Sequence, residues 1–254
     1  PLPRSPYTRV FLSYGAENVT FGTQGLLGDF RSDYGNKSFR STLGASLTRD
    51  TRIDLPFPTA GAQYNVAANF NGGILGGTSS FQRYTADASA FAPLGQLGGG
   101  RPGSQPIKFV AGLTARSGAV FGDTGPFFFS QEFALGGVQF GERLRGYEEF
   151  SISPSGYVTG TSTFNARRES FGRAFFSTTA EVGMRVNQAL YLAAFYDAGN
   201  VWRKPRDFDP TRLFRGAGIS ASTVTPLGPL GLDYAYGFDR LDALVFAPER
   251  RIVE

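Results

Sequence analysis

The sequence predicts an all-β fold, an antiparallel transmembrane β-barrel, from three observations. Apolar and polar residues alternate with a period of two along most of the 254 residues, whereas helical periodicity is nearly absent. The alternating segments are about 9–14 residues long, which fits membrane-spanning strands better than the shorter strands of a soluble sandwich. Their polar faces carry charges and amides in mid-strand, as a wet barrel interior allows. These polar residues are Arg40, Asn65, Asn69, Glu181, Arg185, Asp197 and Asp233.

The first four strands are predicted from alternation between turn signals. The segment 7–16 alternates imperfectly, and 39–50 alternates cleanly. A proline-rich turn at 56–61 leads to 63–71, which has amides on its polar side, and 81–92 carries small residues on one face. The apolar positions of the two cleanest strands are Phe39, Leu43, Ala45, Leu47, Tyr64, Val66, Ala68 and Phe70.

A fifth strand at 107–121 follows a Gly-, Pro- and Gln-rich loop at 95–106. The stretch 122–174 is then predicted to be one long loop. Its centre, FALGGVQFGERLRGY at 133–147, has two adjacent glycines and a third four residues later, a spacing that would dissolve a β-ladder. Residues 151–172 are rich in Ser, Thr and Gly and extend the loop.

Four further strands complete the pattern. They are predicted at 176–186, 190–202, 214–225 and 230–239, with a tight turn at 226–229 before the last. Short turns and long loops thus alternate, as periplasmic turns and extracellular loops do in outer-membrane barrels. The apolar faces end in aromatic residues expected at a membrane interface, namely Tyr64, Phe70, Tyr191, Trp202, Tyr236 and Phe238.

The composition argues against several function classes. The chain has no cysteine and no histidine, which removes disulfides, thiolate chemistry and the commonest general base. The net charge is only +4 and no Lys/Arg run occurs, so no nucleic-acid partner is expected. No apolar run predicts a transmembrane helix, and residues 1–4 do not resemble a signal peptide. The loop acids on which a hydrolase could draw are expected to be solvated charges: Asp54, Asp123, Glu148 and Glu149.

The number of predicted strands is itself informative. Single-chain bacterial barrels have an even number of strands and no free edge, whereas nine strands leave two unpaired edges. Either one strand escapes detection or the chain is a piece of a larger barrel, and the second explanation is favoured.

The candidate functional residue is Arg145, in the motif Leu144-Arg145-Gly146-Tyr147 of the long loop. A lone arginine in a glycine-rich loop is usually a solvated charge. A barrel, however, offers this arginine a closed polar interior in which to bind.

Four segments resemble one known family. LRGY at 144–147, preceded by FALGG at 133–137, resembles the loop motif of BamA-type outer-membrane assembly proteins. The other segments follow in the family's order along most of the chain from residue 39 onward. They are RDTRIDLPFPTAG at 49–61, FYDAGNVW at 195–202 and TPLGPLGLDYAYGF at 225–238.

The resemblance implies a sixteen-stranded barrel, of which the nine strands are roughly the seventh to the fifteenth. Residues 1–254 would then be the C-terminal portion of one outer-membrane barrel domain, with loop 122–174 folded into the lumen. The family's terminal strand would lie outside this chain, because the sequence stops at Glu254 in a charged tail that includes 248–251. The resemblance implies that the first six strands and the periplasmic POTRA repeats also lie outside it.

The resemblance also implies that Arg145 reaches into the lumen and pairs with Asp197 and Glu181. Both acids fall on polar faces, where a partly desolvated carboxylate needs a partner, and one guanidinium can serve two carboxylates. Gly146 would let the backbone approach the wall, and Tyr147 would pack beside it. The alternative is that the two acids are hydrated lumen charges.

The implied function is the folding and insertion of client proteins in the bacterial outer membrane, without enzymatic chemistry and without a cofactor. The expected partners are unfolded outer-membrane clients, periplasmic accessory lipoproteins and outer-membrane lipid. A TamA-type assembly factor or a two-partner secretion transporter shares the loop motif. A passive porin-like channel and a soluble sugar-binding β-sandwich are the alternatives from other classes.

Overall fold

The computed structural model describes residues 5–20, 37–99, 105–125, 128–160, 168–226 and 228–240. Nine long strands form one antiparallel sheet in the order β1-β2-β3-β4-β5-β8-β9-β10-β11, and β6 and β7 form a separate hairpin. The strands are β1 (Thr8–Thr20), β2 (Lys37–Asp50), β3 (Gly61–Asn71), β4 (Ser80–Leu97), β5 (Ile107–Asp123), β6 (Ile152–Ser153), β7 (Gly156–Tyr157), β8 (Ala174–Arg185), β9 (Leu190–Trp202), β10 (Phe214–Thr225) and β11 (Gly228–Gly237).

The predicted antiparallel all-β fold and its nine long strands are confirmed. The described residues contain no helix of the length and apolar character needed to cross a membrane. The predicted N-terminal turn at 1–4 and the charged tail at 248–251 lie outside the described residues.

Two strands run four or more residues beyond their predicted ends. β1 continues to Thr20, because its whole length pairs with β2 as far as Lys37. β4 continues to Leu97 through a register shift between Pro93 and Gly95, whereas the prediction ended it at residue 92. Proline is tolerated within a sheet at such a bulge, where a ladder hydrogen bond is already lost.

The two faces of the sheet differ as the alternation predicts. One face, the outer face, exposes large apolar side chains to the surroundings. Six of these residues, one on each of six strands, are 44–75% exposed: Leu43, Val66, Leu113, Val182, Ile219 and Leu232. A continuous apolar surface of this kind indicates contact with lipid or another partner rather than with water.

The other face, the inner face, carries a polar row across four neighbouring strands. Thr48, Asn65, Asp87 and Arg116 lie opposite one another in register. Thr48 donates to Asn65 (2.8 Å), Asn65 donates to Asp87 (3.3 Å), and Arg116 donates to Asp87 (2.9 Å). Arg116 also pairs with Glu142 of the long loop at 2.9 Å. Burial raises the pKa of the Glu142 carboxyl, and Arg116 opposes that rise.

The buried core lies between the inner face and the long loop. Between β5 and β8 the described residues 124–125, 128–160 and 168–173 lie against the inner face, and their apolar side chains pack on those of the strands. The loop contributes Phe128, Phe133, Leu135, Leu144, Tyr147, Ile152 and Tyr157, and the strands contribute Phe81, Val120, Phe175, Val201 and Phe214. The loop therefore takes the place that a second sheet would occupy in a sandwich.

Candidate functional site at the loop tip

The long loop is ordered by its own backbone hydrogen bonds. Phe133 and Gly172 exchange two bonds of 2.8 Å where the loop leaves and rejoins the sheet. Further in, the amide of Ile152 donates to the carbonyl of Leu135 at 3.1 Å. Among the described residues of this stretch the strands are the two-residue β6 and β7, so the prediction that residues 133–147 form no strand agrees with the geometry. The loop thus presents its tip, residues 144–147, to the wall in a fixed conformation.

Arg145 lies at the tip and is buried against β9. Its Nε and Nη2 atoms donate to Oδ2 and Oδ1 of Asp197 at 2.7 and 2.8 Å, and its backbone amide donates to Oδ2 at 3.3 Å. Arg145 is 3% exposed and Asp197 is 1% exposed. Thr179, which lies opposite Asp197 on β8, donates to Oδ1 at 2.7 Å. The two buried charges therefore satisfy each other in a bidentate pair with an additional hydroxyl donor.

Two further residues lie beside the guanidinium, and sequence reasoning did not assign either of them to the site. The ring of Phe195 lies with its centroid 3.2 Å from Cζ of Arg145, a cation–π arrangement. Asp233 of β11 places Oδ1 3.9 Å from Nη1. The available signal was strand periodicity, since Phe195 precedes Asp197 by two residues and must share its face.

The predicted pairing of Arg145 with Glu181 is wrong. Among the described ion pairs Arg145 contacts Asp197 and Asp233, and Glu181 instead accepts a 2.8 Å hydrogen bond from the hydroxyl of Tyr191. The register explains the difference, because Thr179 and not Glu181 lies opposite Asp197. Tyr191 itself lies on the inner face, whereas an interfacial position on the apolar face was predicted.

Three glycines allow the loop backbone to lie directly on the wall. Gly146 has φ +88°, and a Cβ there would be 2.7 Å from the amide nitrogen of Gly237. A Cβ at Gly216 would be 2.6 Å from the carbonyl oxygen of Arg145, and one at Gly237 would be 2.7 Å from that of Gly146. Gly216 pairs with both Asp197 and Gly237, so the two wall glycines continue the row of the anchoring carboxylate. We call Gly216 and Gly237 the glycine patch.

Tyr147 completes the tip beside this patch. Its hydroxyl donates to the carbonyl of Arg215 at 2.7 Å and accepts from the amide of Asp239 at 3.2 Å. Its ring makes edge contacts with Tyr157 and Phe214. Burial raises the pKa of Tyr147 to about 12, so the hydroxyl remains protonated and able to donate at neutral pH.

The comparisons with known proteins agree with this architecture. The family model described as "Omp85 superfamily domain" matches residues 4–243 of this chain. A protein of Nitratidesulfovibrio vulgaris strain Hildenborough, named outer membrane protein assembly factor BamA, is 27% identical over 207 residues, which are 80% of this chain and 23% of that protein. The crystal structure of BamA from Haemophilus ducreyi lacking POTRA domains 1–3 has a TM-score of 0.66 at 18% identity. That match covers 93% of this chain and 49% of the solved chain, and it shows the fold.

This chain therefore spans about a quarter of one relative and about half of the other. The apolar outer face, the buried polar inner face and the family match over residues 4–243 lead to one assignment. The chain belongs to the Omp85 superfamily and forms part of the wall of a β-barrel in the bacterial outer membrane.

Proposed function

We propose that this chain is the C-terminal portion of a BamA-type assembly factor, which folds client outer-membrane proteins and inserts them into the membrane. The observation that carries the proposal is the buried bidentate contact between Arg145 and Asp197. It fixes the family's loop motif on the inner face of the wall. The relative from N. vulgaris, named as an assembly factor, supports the same function.

In this proposal the loop is a rigid internal support of the barrel. Bidentate pairing fixes both the position and the orientation of the guanidinium, and the glycine patch lets the loop backbone lie against β10 and β11. The apolar residues of the loop then cover part of the inner face. A passive channel requires the opposite arrangement, a hydrated inner face with room for solute, so the packing favours the assembly function.

Client recognition would use strand pairing rather than covalent chemistry. An exposed sheet edge binds an incoming strand through main-chain hydrogen bonds, and side-chain pockets add specificity. We propose that residues 1–254 contribute nine strands to a sixteen-stranded barrel whose remaining strands supply that edge. POTRA repeats and periplasmic lipoproteins would deliver the clients, and the apolar outer face would contact lipid. No cofactor is needed for this work.

The test is client folding by the full-length protein in liposomes. We expect an unfolded outer-membrane barrel to acquire its heat-resistant form faster in liposomes that contain the protein than in empty liposomes. The same bilayers should show no wide, steadily open conductance, because the loop packs across the inner face. Steady porin-like currents together with unaccelerated client folding would contradict the proposal and favour a passive channel.

A further inference from the structure

The segment 51–60 between β2 and β3, which we call the turn segment, bends over the inner face. Its hairpin form is kept by a 3.0 Å bond from the amide of Ile53 to the carbonyl of Ala60. The bend uses two residues with positive φ, Asp54 at 62° and Gly61 at 95°. At Gly61 a Cβ would be 2.3 Å from the carbonyl oxygen of Thr51, so only glycine fits this backbone. The segment therefore leaves the plane of its own strands.

The turn segment reaches strands that are not its neighbours. Oδ2 of Asp54 lies 2.6 Å from Nζ of Lys108 on β5 and 3.1 Å from Nη1 of Arg185 on β8. Thr59 donates to the same oxygen. Lys108 and Arg185 are opposite each other in the sheet, so Asp54 neutralises two adjacent like charges. The Lys108 ammonium lowers the pKa of Asp54 to about 2, and the carboxylate is charged at neutral pH.

A second contact lies one strand further, on β9. The ring of Phe57 stacks on the ring of Tyr191 with centroids 5.3 Å apart and an angle of 10°. Tyr191 is held flat along the wall because its hydroxyl donates to Glu181. Gly183 leaves the necessary room, since a Cβ there would be 1.9 Å from that hydroxyl oxygen. Glu181 therefore positions the aromatic surface on which the turn segment docks.

The turn segment and the long loop occupy opposite ends of the inner face. Lys108, which contacts the turn segment, and Arg116, which contacts the loop, are eight residues apart on β5, or about 27 Å along the strand. A cavity of about 280 Å³ remains beside the turn segment, lined by Asp54, Gln105, Pro106, Lys108, Arg185 and Asn187. The turn segment connects β2 and β3, yet its contacts are with β5, β8 and β9. It therefore lies over the inner face instead of simply linking two adjacent strand ends.

We infer that the turn segment is a plug that closes the lumen at the end opposite the long loop. Asp54 anchors it on Lys108 and Arg185, and Phe57 anchors it on Tyr191. Its function is to restrict the access of large polar molecules to the lumen from that end. This goes beyond client assembly and rests on contacts that the loop tip does not share. A negative result in the client-folding test therefore does not decide whether the turn segment closes the lumen, and the reverse also holds.

The test is the labelling rate of a cysteine placed on the inner face between the turn segment and the long loop. Ser89 of β4 lies opposite Thr114 on the inner face, and this chain has no native cysteine, so Ser89→Cys introduces a single thiol here. The full-length protein, freed of other cysteines, is treated in detergent with a polymer-linked maleimide. Asp54→Asn and Phe57→Ala are each expected to raise the labelling rate about tenfold, as for loss of about 1.4 kcal/mol of closing free energy.

Three controls make the result specific. Asp207→Asn alters an exposed loop acid at the other end, with a side chain that is 46% exposed, and should leave the rate unchanged. A small maleimide should label all variants at similar rates, because it measures the thiol rather than the passage. Labelling is read only from the heat-modifiable, folded band, so unfolded protein does not contribute. Equal polymer-labelling rates in the parent, Asp54→Asn and Phe57→Ala proteins would overturn the inference.

Discussion

Asp197→Ala is expected to lower the free energy of unfolding of the barrel by about 3–5 kcal/mol, the usual cost of leaving a buried charge without its partner. Arg145 is 3% exposed and would keep its guanidinium buried, and of its two ion pairs among the described residues the one left is with Asp233, 3.9 Å away. Arg145→Ala should cost a similar amount, because it strands Asp197. Arg145→Lys should fall between, since an ammonium keeps the charge but cannot make the bidentate contact. The measurement is the temperature or denaturant midpoint of heat modifiability of the full-length protein.

The matched control is Asp233→Ala on the neighbouring strand. The Asp233 side chain is 28% exposed and its ion pair with Arg145 is long, at 3.9 Å, so a loss of about 1 kcal/mol or less is expected. The double variant Arg145→Ala/Asp197→Ala should be markedly more stable than the sum of the two single losses predicts, because neither charge is left alone. Strictly additive losses would show that the two side chains do not depend on each other.

Gly237→Ala is expected to displace the loop tip and to cost about 1–3 kcal/mol, the range for overpacking a well-packed contact. The new methyl carbon would lie 2.7 Å from the carbonyl oxygen of Gly146 and 2.8 Å from the ring of Tyr147. Neither atom can retreat easily, because Gly146 is itself pressed on β11 and the Tyr147 hydroxyl is bonded on two sides. The readout is the same midpoint of heat modifiability, together with protease sensitivity of the loop.

Gly231→Ala provides the control on the same strand and the same face. Within the described part of the chain, the one atom within 4 Å of its added methyl group is the Ser222 hydroxyl oxygen, at 3.7 Å, which is an ordinary contact. Both variants therefore share the intrinsic effect of replacing a strand glycine by alanine. The difference between their midpoints of heat modifiability measures the contact with the loop. If both variants have the same midpoint, the glycine patch does not hold the loop.

Strand identity could be predicted from the sequence because alternation is a local property. The same alternation predicted the exposed apolar row through Val66 and Val182 and placed Asp197 on the polar face. The end of β4 was missed because Pro93 normally interrupts a strand, and a bulge accommodates it only in the context of the neighbouring β5. Local pattern thus predicted the strands but not where each one ends.

The partners of the site could not be predicted to the same depth, because they depend on register and on the loop. Whether Thr179 or Glu181 faces Asp197 depends on a shift of two residues between β8 and β9. Gly216 and Gly237 are only weak strand formers when considered alone. Their role becomes visible once the backbone of Arg145 and Gly146 lies on them.

The most direct test of the account compares client folding by the full-length protein with and without the Arg145 guanidinium. The proposal predicts that Arg145→Ala slows client folding in liposomes about tenfold or more, at a temperature at which the barrel itself remains heat-resistant, and that Arg145→Lys restores part of the rate. Arg206→Ala, which removes an arginine whose side chain is 77% exposed in the connection between β9 and β10, should fold clients at the unmodified rate. An Arg145→Ala protein that stays folded and assembles clients as fast as the unmodified protein would contradict the central claim.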